Sequence, residues 1–133
     1  MTVRFADTYY YLALLSENDA AHARATNASQ SFAGRVVTTA WVLTEVADAL
    51  ASPSVRKIFT TFYDLLRVDP LVTILAPTQD WFERGVALYA KRPDKEWSLT
   101  DCISFVAMKD QGLTEALTAD HHFEQAGFTV LLK

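Results

Sequence analysis

The class of fold is indicated by the segment Val3-Arg-Phe-Ala-Asp7-Thr-Tyr-Tyr-Tyr-Leu-Ala-Leu-Leu15. The run from Val3 to Ala6 is short and strand-like, and it stops at Asp7. The block from Thr8 to Leu15 has too many consecutive apolar residues for the alternating pattern of a half-buried strand. We therefore predict a strand that ends at Asp7 and is followed at once by a helix.

The same change from a strand-like to a helix-like pattern of apolar residues recurs along the rest of the chain. A polar, alanine-rich helix is predicted over 18–33, with Asn18 or Asp19 as its cap and Gly34 as its end. Strands that alternate with helices predict an α/β fold, a mostly parallel sheet covered on both faces, in a single domain of residues 1–133. The other predicted strands lie at 35–39, 71–75, 115–118 and 128–132, and the other helices at 41–51, 55–67, 81–91, 99–108 and 121–126.

The amino-acid composition excludes several classes of protein. Half of the 133 residues are hydrophobic and 21% are charged, which excludes a disordered or linker-rich chain. The single cysteine, Cys102, permits no internal disulfide and favours a reducing, cytoplasmic location. No apolar run reaches the length of a membrane span, and we expect no membrane association. The net charge of −4 argues against bulk electrostatic attachment to nucleic acid, but not against a local basic patch.

Acidic residues stand where a ligand is expected. Ligands of parallel sheets bind beyond the carboxyl ends of the strands. Asp7 and Asp120 each follow a predicted strand, and Asp101 lies in the first turn of a predicted helix. On the helix over 41–51, Glu45 falls at the edge of the apolar face and points partly inward. Each aspartate also fits a structural role as a helix cap, and Ser98 with Asp101 has the spacing of a capping box.

Together, these four carboxylates predict a metal site. No basic residue is adjacent to any of them in sequence, and like charges repel unless a cation lies between them. Oxygen ligands without an evident His or Cys set suit Mg²⁺ or Mn²⁺. Such a site can activate water and stabilise the charge of a phosphate, so we expect phosphodiester hydrolysis.

Four segments also carry a resemblance to a known family. They are Asp7-Thr-Tyr-Tyr-Tyr-Leu-Ala-Leu-Leu, Thr39-Ala-Trp-Val-Leu-Thr-Glu45-Val-Ala-Asp-Ala-Leu, Ser98-Leu-Thr-Asp101-Cys-Ile-Ser-Phe and Leu117-Thr-Ala-Asp120-His-His-Phe123-Glu-Gln-Ala-Gly-Phe. In this order and spacing they resemble the PIN domain, in particular the small ribonuclease toxins of the VapC type. The resemblance covers nearly the whole chain.

The resemblance implies a three-layer α/β/α sandwich and a metal-dependent endoribonuclease. Asp7, Glu45, Asp101 and Asp120 would hold one or two Mg²⁺ or Mn²⁺ ions, and cleavage would leave a 5′-phosphate and a 3′-hydroxyl. The RNA substrate would be accompanied by a cognate antitoxin protein, since VapC-type toxins belong to type II toxin-antitoxin pairs.

Residues around the carboxylates are weaker candidates. Thr8 and Thr118 match positions where the family often places a hydroxyl near the metal or the substrate, although both also fit structural caps. Trp81 and Trp97 could stack an unpaired base or belong to the core. Adjacent His121 and His122 cannot both face one site on a helix, so we assign them surface or supporting roles; Cys102 is expected in the core, and Glu124 is a further acid whose side chain fits an exposed position. The basic residues expected to rim the cleft and hold RNA are Arg84, Lys91, Arg92 and Lys95.

Two alternatives remain open at this stage. A PIN-fold module could bind RNA or protein without cutting it, although the presence of all four acids disfavours this. A phosphoacceptor receiver domain ranks lower, because it needs paired acids after the first strand and a late lysine at a strand end. The apolar faces of the helices at 9–15 and 55–66 are the expected surfaces for a partner or for a homodimer.

Overall fold

The structure, a computed structural model, describes residues 2–133, which fold into five strands and seven helices. The strands are β1 (Val3–Ala6), β2 (Arg35–Thr39), β3 (Val72–Leu75), β4 (Glu115–Leu117) and β5 (Thr129–Val130). The helices are α1 (Thr8–Leu15), α2 (His22–Ser31), α3 (Ala40–Ala49), α4 (Arg56–Leu66), α5 (Gln79–Lys91), α6 (Leu99–Asp110) and α7 (His121–Gln125).

The sheet has the order β3-β2-β1-β4-β5, and every pair of neighbouring strands is parallel. From β1 the chain moves outward to β2 and β3, and it then crosses back to place β4 and β5 on the other side. The direction of winding therefore reverses between β1 and β4, and ligands of such sheets bind in the crevice at this switch point. The predicted α/β fold, a parallel sheet flanked by helices, is confirmed.

Aromatic side chains fix the helices that end near this crevice. Phe105 of α6 contacts three rings, with centroid distances of 5.1 Å to Trp97, 5.0 Å to Phe123 and 5.7 Å to Phe128. Phe123, which is fully buried, also lies 6.3 Å from Phe5 of β1. Because these rings lock α6 and α7 onto the sheet, the N-termini of both helices have fixed positions beside the ends of β1 and β4.

Helices α5 and α6 pack side by side in opposite directions. Gly85 of α5 makes this close approach possible, since a Cβ built there would overlap the side chain of Ile103 on α6. Trp81, near the start of α5, bonds through Nε1 to Asp110 at the end of α6, at 2.8 Å. The C-terminus of α5 therefore lies near the N-terminus of α6, with only residues 92–98 between them.

The boundaries differ from the prediction mainly at α2. This helix begins at His22, and its N-cap is Ala21, so neither Asn18 nor Asp19 caps it. The carboxylate of Asp19 instead accepts a bond from the N–H of Ala21 at 2.8 Å, which stabilises a turn before the helix. The ring of His22 bonds to the carbonyl of Ala13 at 2.8 Å and thereby fixes the start of α2 against α1.

None of the helices formed by residues 2–133 combines the length and the apolar character needed to cross a bilayer.

Candidate active site

Asp7 lies at the carboxyl end of β1, and its side chain is almost completely buried. It occupies the N-cap position of α1, yet its carboxylate makes no capping bond there. Instead, Oδ2 accepts a hydrogen bond of 2.9 Å from the hydroxyl of Thr118, which follows β4. The structural alternative considered for Asp7 is therefore wrong, because the side chain points across the switch point and not along its own helix.

Thr118 connects the ends of the two central strands. Besides donating to Asp7, its Oγ1 accepts a 3.0 Å bond from the N–H of Asp120. The carboxylate of Asp120 caps α7 by accepting from the N–H of His122 at 2.9 Å, but it remains partly exposed to the crevice. Asp120 thus combines a capping role with a position beside Asp7.

Asp101 enters the same crevice from the first turn of α6. The expected capping box is present: the hydroxyl of Ser98 accepts from the N–H of Asp101 at 3.0 Å, and Oδ2 of Asp101 accepts from the N–H of Ser98 at 3.1 Å. The box fixes the carboxylate, which is only 9% exposed, on the side of α6 that faces the ends of β1 and β4.

Glu45 completes the set from α3. The hydroxyl of Thr8, which directly follows Asp7, donates a bond of 2.6 Å to Oε1 of Glu45. The helix phase assumed from the sequence therefore matches the structure, since Glu45 is half-buried and directed at the start of α1. Of the residues predicted for the site, Asp7, Thr8, Glu45, Asp101, Thr118 and Asp120 are brought together.

His122 also lies in this crevice, so it is the one of the two histidines that takes the supporting role considered from the sequence. Its Nδ1 is 3.2 Å from Oδ2 of Asp101 and 3.4 Å from Oδ1 of Asp120. His121 is exposed and lies farther away, with Nδ1 at 3.8 Å from Oδ1 of Asp120. The local sequence carries no signal that selects His122 over His121, because the orientation of α7 depends on the burial of Phe123.

Burial makes the carboxylates of Asp7 and Asp101 harder to ionise than exposed carboxylates. Burial raises the pKa of Asp7 from 3.8 to about 7, and the negative charges of Asp101 and Asp120 act in the same direction, against the bond from Thr118. Burial and the charge of Asp120 also raise the pKa of Asp101, although the bonds from Ser98 and His122 oppose this. Within residues 2–133 no lysine or arginine pairs with any of the four acids. A divalent cation would supply the missing positive charge, and carboxylate oxygens suit Mg²⁺ or Mn²⁺.

The predicted basic rim divides into two parts. Arg84 is not near the site: it forms a bidentate pair with Asp110 at the opposite end of α6, with N–O distances of 2.6 and 2.8 Å. Lys91 ends α5 and is exposed. Arg92 and Lys95 lie in the loop before Ser98, and both contact Asp94.

A pocket of about 950 Å³ opens between the C-terminus of α5 and the N-terminus of α6. Arg92 and Lys95 line it, together with Tyr89, whose side chain is more than half exposed. Ser98, at one edge of the pocket, is the residue that holds Asp101. The pocket therefore adjoins the carboxylates and carries an accessible aromatic ring and two cations.

The remaining candidates are structural. Trp97 is buried against Phe105 and donates from Nε1 to Gln125 at 2.9 Å, so it belongs to the core. Trp81 is tied to Asp110. Cys102 is fully buried, and burial raises the pKa of its thiol to about 11, as expected for an inert core residue. Glu124 is exposed and pairs with Lys133.

Comparisons with known proteins agree with this geometry. The chain is 27% identical to a protein of Mycobacterium tuberculosis named 23S rRNA-specific endonuclease VapC20, over 93% of this chain and 94% of that one. A crystal structure of VapC20, described as a sarcin-ricin loop cleaving toxin, superposes with a TM-score of 0.88 at 26% identity, covering 96% of this chain and 97% of the other.

Two more distant structures share the fold. They are FitAcB from Neisseria gonorrhoeae, with a TM-score of 0.68 at 20% identity over 98% and 96% of the two chains, and a toxin-antitoxin complex from Klebsiella pneumoniae, with 0.62 at 21% over 89% and 87%. The profile of the PIN domain matches residues 4–129, nearly the whole chain. The resemblance inferred from the four acidic segments is thus confirmed, and the protein belongs to the PIN domain family.

Proposed function

We propose that this protein is a metal-dependent endoribonuclease and the toxin of a type II toxin-antitoxin pair. One observation carries the proposal: Asp7, Asp101 and Asp120 converge at the switch point of the sheet, where no lysine or arginine of residues 2–133 neutralises them. Glu45 joins them through Thr8. The kinship with an endonuclease of the same length and fold supports the same activity.

In this proposal the four carboxylates hold Mg²⁺ or Mn²⁺. The bound ion would lower the pKa of a water molecule and offset the charge that develops on the phosphate. The chain itself supplies orientation: Thr8 fixes Glu45, Thr118 fixes Asp7, and Ser98 fixes Asp101. Because each carboxylate is held by a bond from outside the set, its remaining oxygen lone pairs stay available to the ion.

The pocket between α5 and α6 is the proposed path for the RNA strand. Arg92 and Lys95 supply positive charge, and Tyr89 offers a ring face on which an unpaired base can stack. Ser98, which is hydrogen-bonded to Asp101, lines this pocket, so a strand held there would pass close to the carboxylates. Since VapC20 is named for cleaving 23S rRNA, a loop of ribosomal RNA is the first substrate to test.

The antitoxin is proposed to bind the outer surface of α4 beside the end of α1. A groove of about 510 Å³ there is lined by Leu15, Ile58, Phe62 and Leu65, and Leu65 is 68% exposed. An apolar surface of this kind suits an amphipathic segment of a partner. The Klebsiella structure is described as a toxin-antitoxin complex, and its fold match supports the existence of a partner. Assembly of two copies of this chain remains a prediction.

The test is cleavage of a sarcin-ricin loop hairpin and of a scrambled hairpin by purified, partner-free protein, with Mg²⁺ or Mn²⁺ and with EDTA. We expect metal-dependent cleavage that leaves 5′-phosphate ends and is lost in Asp7→Asn and Asp101→Asn. Asp48→Asn, on the exposed side of α3, is the charge-matched control and should cut normally. If folded, partner-free protein cuts neither hairpin and binds neither ion, the non-catalytic module replaces the nuclease as the function.

A further inference from the structure

We propose that His122 ligates the metal ion through Nδ1, so that the site has one nitrogen ligand among its carboxylates and prefers Mn²⁺ to Mg²⁺. This inference rests on the proposed metal dependence. It concerns a residue outside the four acids, and it specifies which kind of ion the site selects.

The geometry of the ring supports ligation. Nδ1 lies 3.2 Å from Oδ2 of Asp101 and 3.4 Å from Oδ1 of Asp120. In an octahedral site with bonds of about 2.1 Å, adjacent ligand atoms are about 3.0 Å apart. Nδ1 therefore lies at nearly the spacing of adjacent ligands from each of the two oxygens. One ligand atom each of Asp120, His121 and His122 also lies within 4.8 Å of the others.

The backbone keeps the ring in this position. The N–H of His122 donates to Asp120, which caps α7, and the next residue, Phe123, is fully buried against Phe5 and Phe105. The side chain of His122 is only 17% exposed, whereas that of His121 is 70% exposed. A helix cap and a buried core residue thus hold the imidazole between two carboxylates, which a surface side chain without a role would not require.

The chemistry of the donor atoms determines the selectivity. Mg²⁺ binds carboxylates and water and loses its water reluctantly, so an imidazole adds little to its affinity. Divalent first-row transition metals bind neutral imidazole readily, and Mn²⁺ has the lowest affinity of that series. A site with one nitrogen and several oxygens therefore favours Mn²⁺ over Mg²⁺ more than four carboxylates alone would.

The experiment measures the ligand directly and does not depend on activity. Mn²⁺ is bound to the purified protein, and electron spin echo modulation records coupling of the metal spin to nearby nitrogen nuclei. We expect nitrogen modulation in the wild type, retained in His121→Leu and lost in His122→Leu. In parallel, calorimetric titration should show that His122→Leu weakens Mn²⁺ binding about tenfold while Mg²⁺ binding changes less than twofold.

A labelled wild type keeps the test independent of any effect of substitution on folding. Growth with ¹⁵N-histidine should replace the ¹⁴N modulation by that of ¹⁵N. If Mn²⁺ binds without any histidine coupling, or if the coupling disappears in His121→Leu instead, the proposal for His122 is overturned while the metal-dependent function stands. If neither ion binds the wild type, the metal dependence proposed above fails as well.

Discussion

Asp7 should make the metal-free protein less stable as the pH rises. Burial and two neighbouring carboxylates raise its pKa to about 7 in the folded protein, whereas the unfolded chain releases this proton near 3.8. Since the folded state binds the proton more tightly, its stabilising effect is complete below pH 3.8 and is lost as the pH rises to 7. Replacing the carboxylate by the amide of Asp7→Asn should abolish this loss.

The two pKa values differ by about three pH units, which corresponds to a free energy of unfolding on the order of 4 kcal/mol. Water that enters the crevice and relaxation around the charge reduce this figure, so it is an upper bound. Half of it, about 2 kcal/mol, would raise the Tm of a chain of this size by about 6–8 °C. We therefore expect metal-free Asp7→Asn to melt about 6–8 °C higher than the wild type at pH 8, and at the same temperature near pH 4.

Thermal unfolding of EDTA-treated protein, followed by circular dichroism from pH 4 to pH 8, measures this difference. Asp48→Asn removes the same charge from an exposed position and should follow the wild type. Saturating Mn²⁺ at pH 8 should reverse the order, because only the wild type retains the full set of ligands. If Asp7→Asn loses stability with rising pH as steeply as the wild type does, the buried carboxylate is not the cause and the reasoning is refuted.

Three further changes test other parts of the structure. Tyr89→Ala should raise the KM for RNA about tenfold, because it removes one stacking interaction. Arg84→Met should leave the KM unchanged, because Arg84 lies at the far end of α6. Steady-state cleavage assays compare the two variants. Leu65→Glu should abolish binding to a small protein encoded beside this one while cleavage by the free protein stays normal, which calorimetry and the hairpin assay decide together. Gly85→Ala should destabilise the protein by about 1–3 kcal/mol in urea unfolding, since the added Cβ meets Ile103 across the α5–α6 contact; an unchanged midpoint would show that the two helices can separate freely.

The positions of the four acids could be predicted because they depend on local signals. A strand that ends at Asp7, a strand that ends before Asp120 and a capping box at Asp101 are all visible in short segments. Parallel strands then bring their carboxyl ends to one edge of the sheet, whatever the details of packing. Glu45 required the phase of a helix, and the regular period of α3 was sufficient to supply it.

The basic rim was only partly predictable, because closeness in sequence was taken for closeness in space. Arg84 precedes Asp101 by less than twenty residues, but α5 and α6 run in opposite directions. The start of α5 therefore lies beside the end of α6, far from Asp101, and only Arg92 and Lys95 in the connecting loop come near the site. A short loop between two long helices already indicates such an antiparallel pair.

The sequence did not show which of the two adjacent histidines supports the site. Two adjacent histidines cannot share one helix face, but the local sequence does not show which of them faces inward. That choice depends on Phe123, whose burial in the core turns α7 so that His122 lies over the crevice. Contacts between distant segments determine the orientation of α7, and the local sequence pattern does not contain them.

The hydrogen bond from Thr118 to Asp7 joins residues 111 positions apart, and this separation determines when the site can exist during synthesis. On the ribosome, β1 and Asp7 emerge more than one hundred residues before their partners on β4 and α7. A nascent chain can pair β1 with β2 long before it can bring Asp120 and Thr118 alongside. Assembly of the carboxylate cluster is thus delayed until β4 and α7 have been made, so a nascent chain that stops before them lacks the complete cleft.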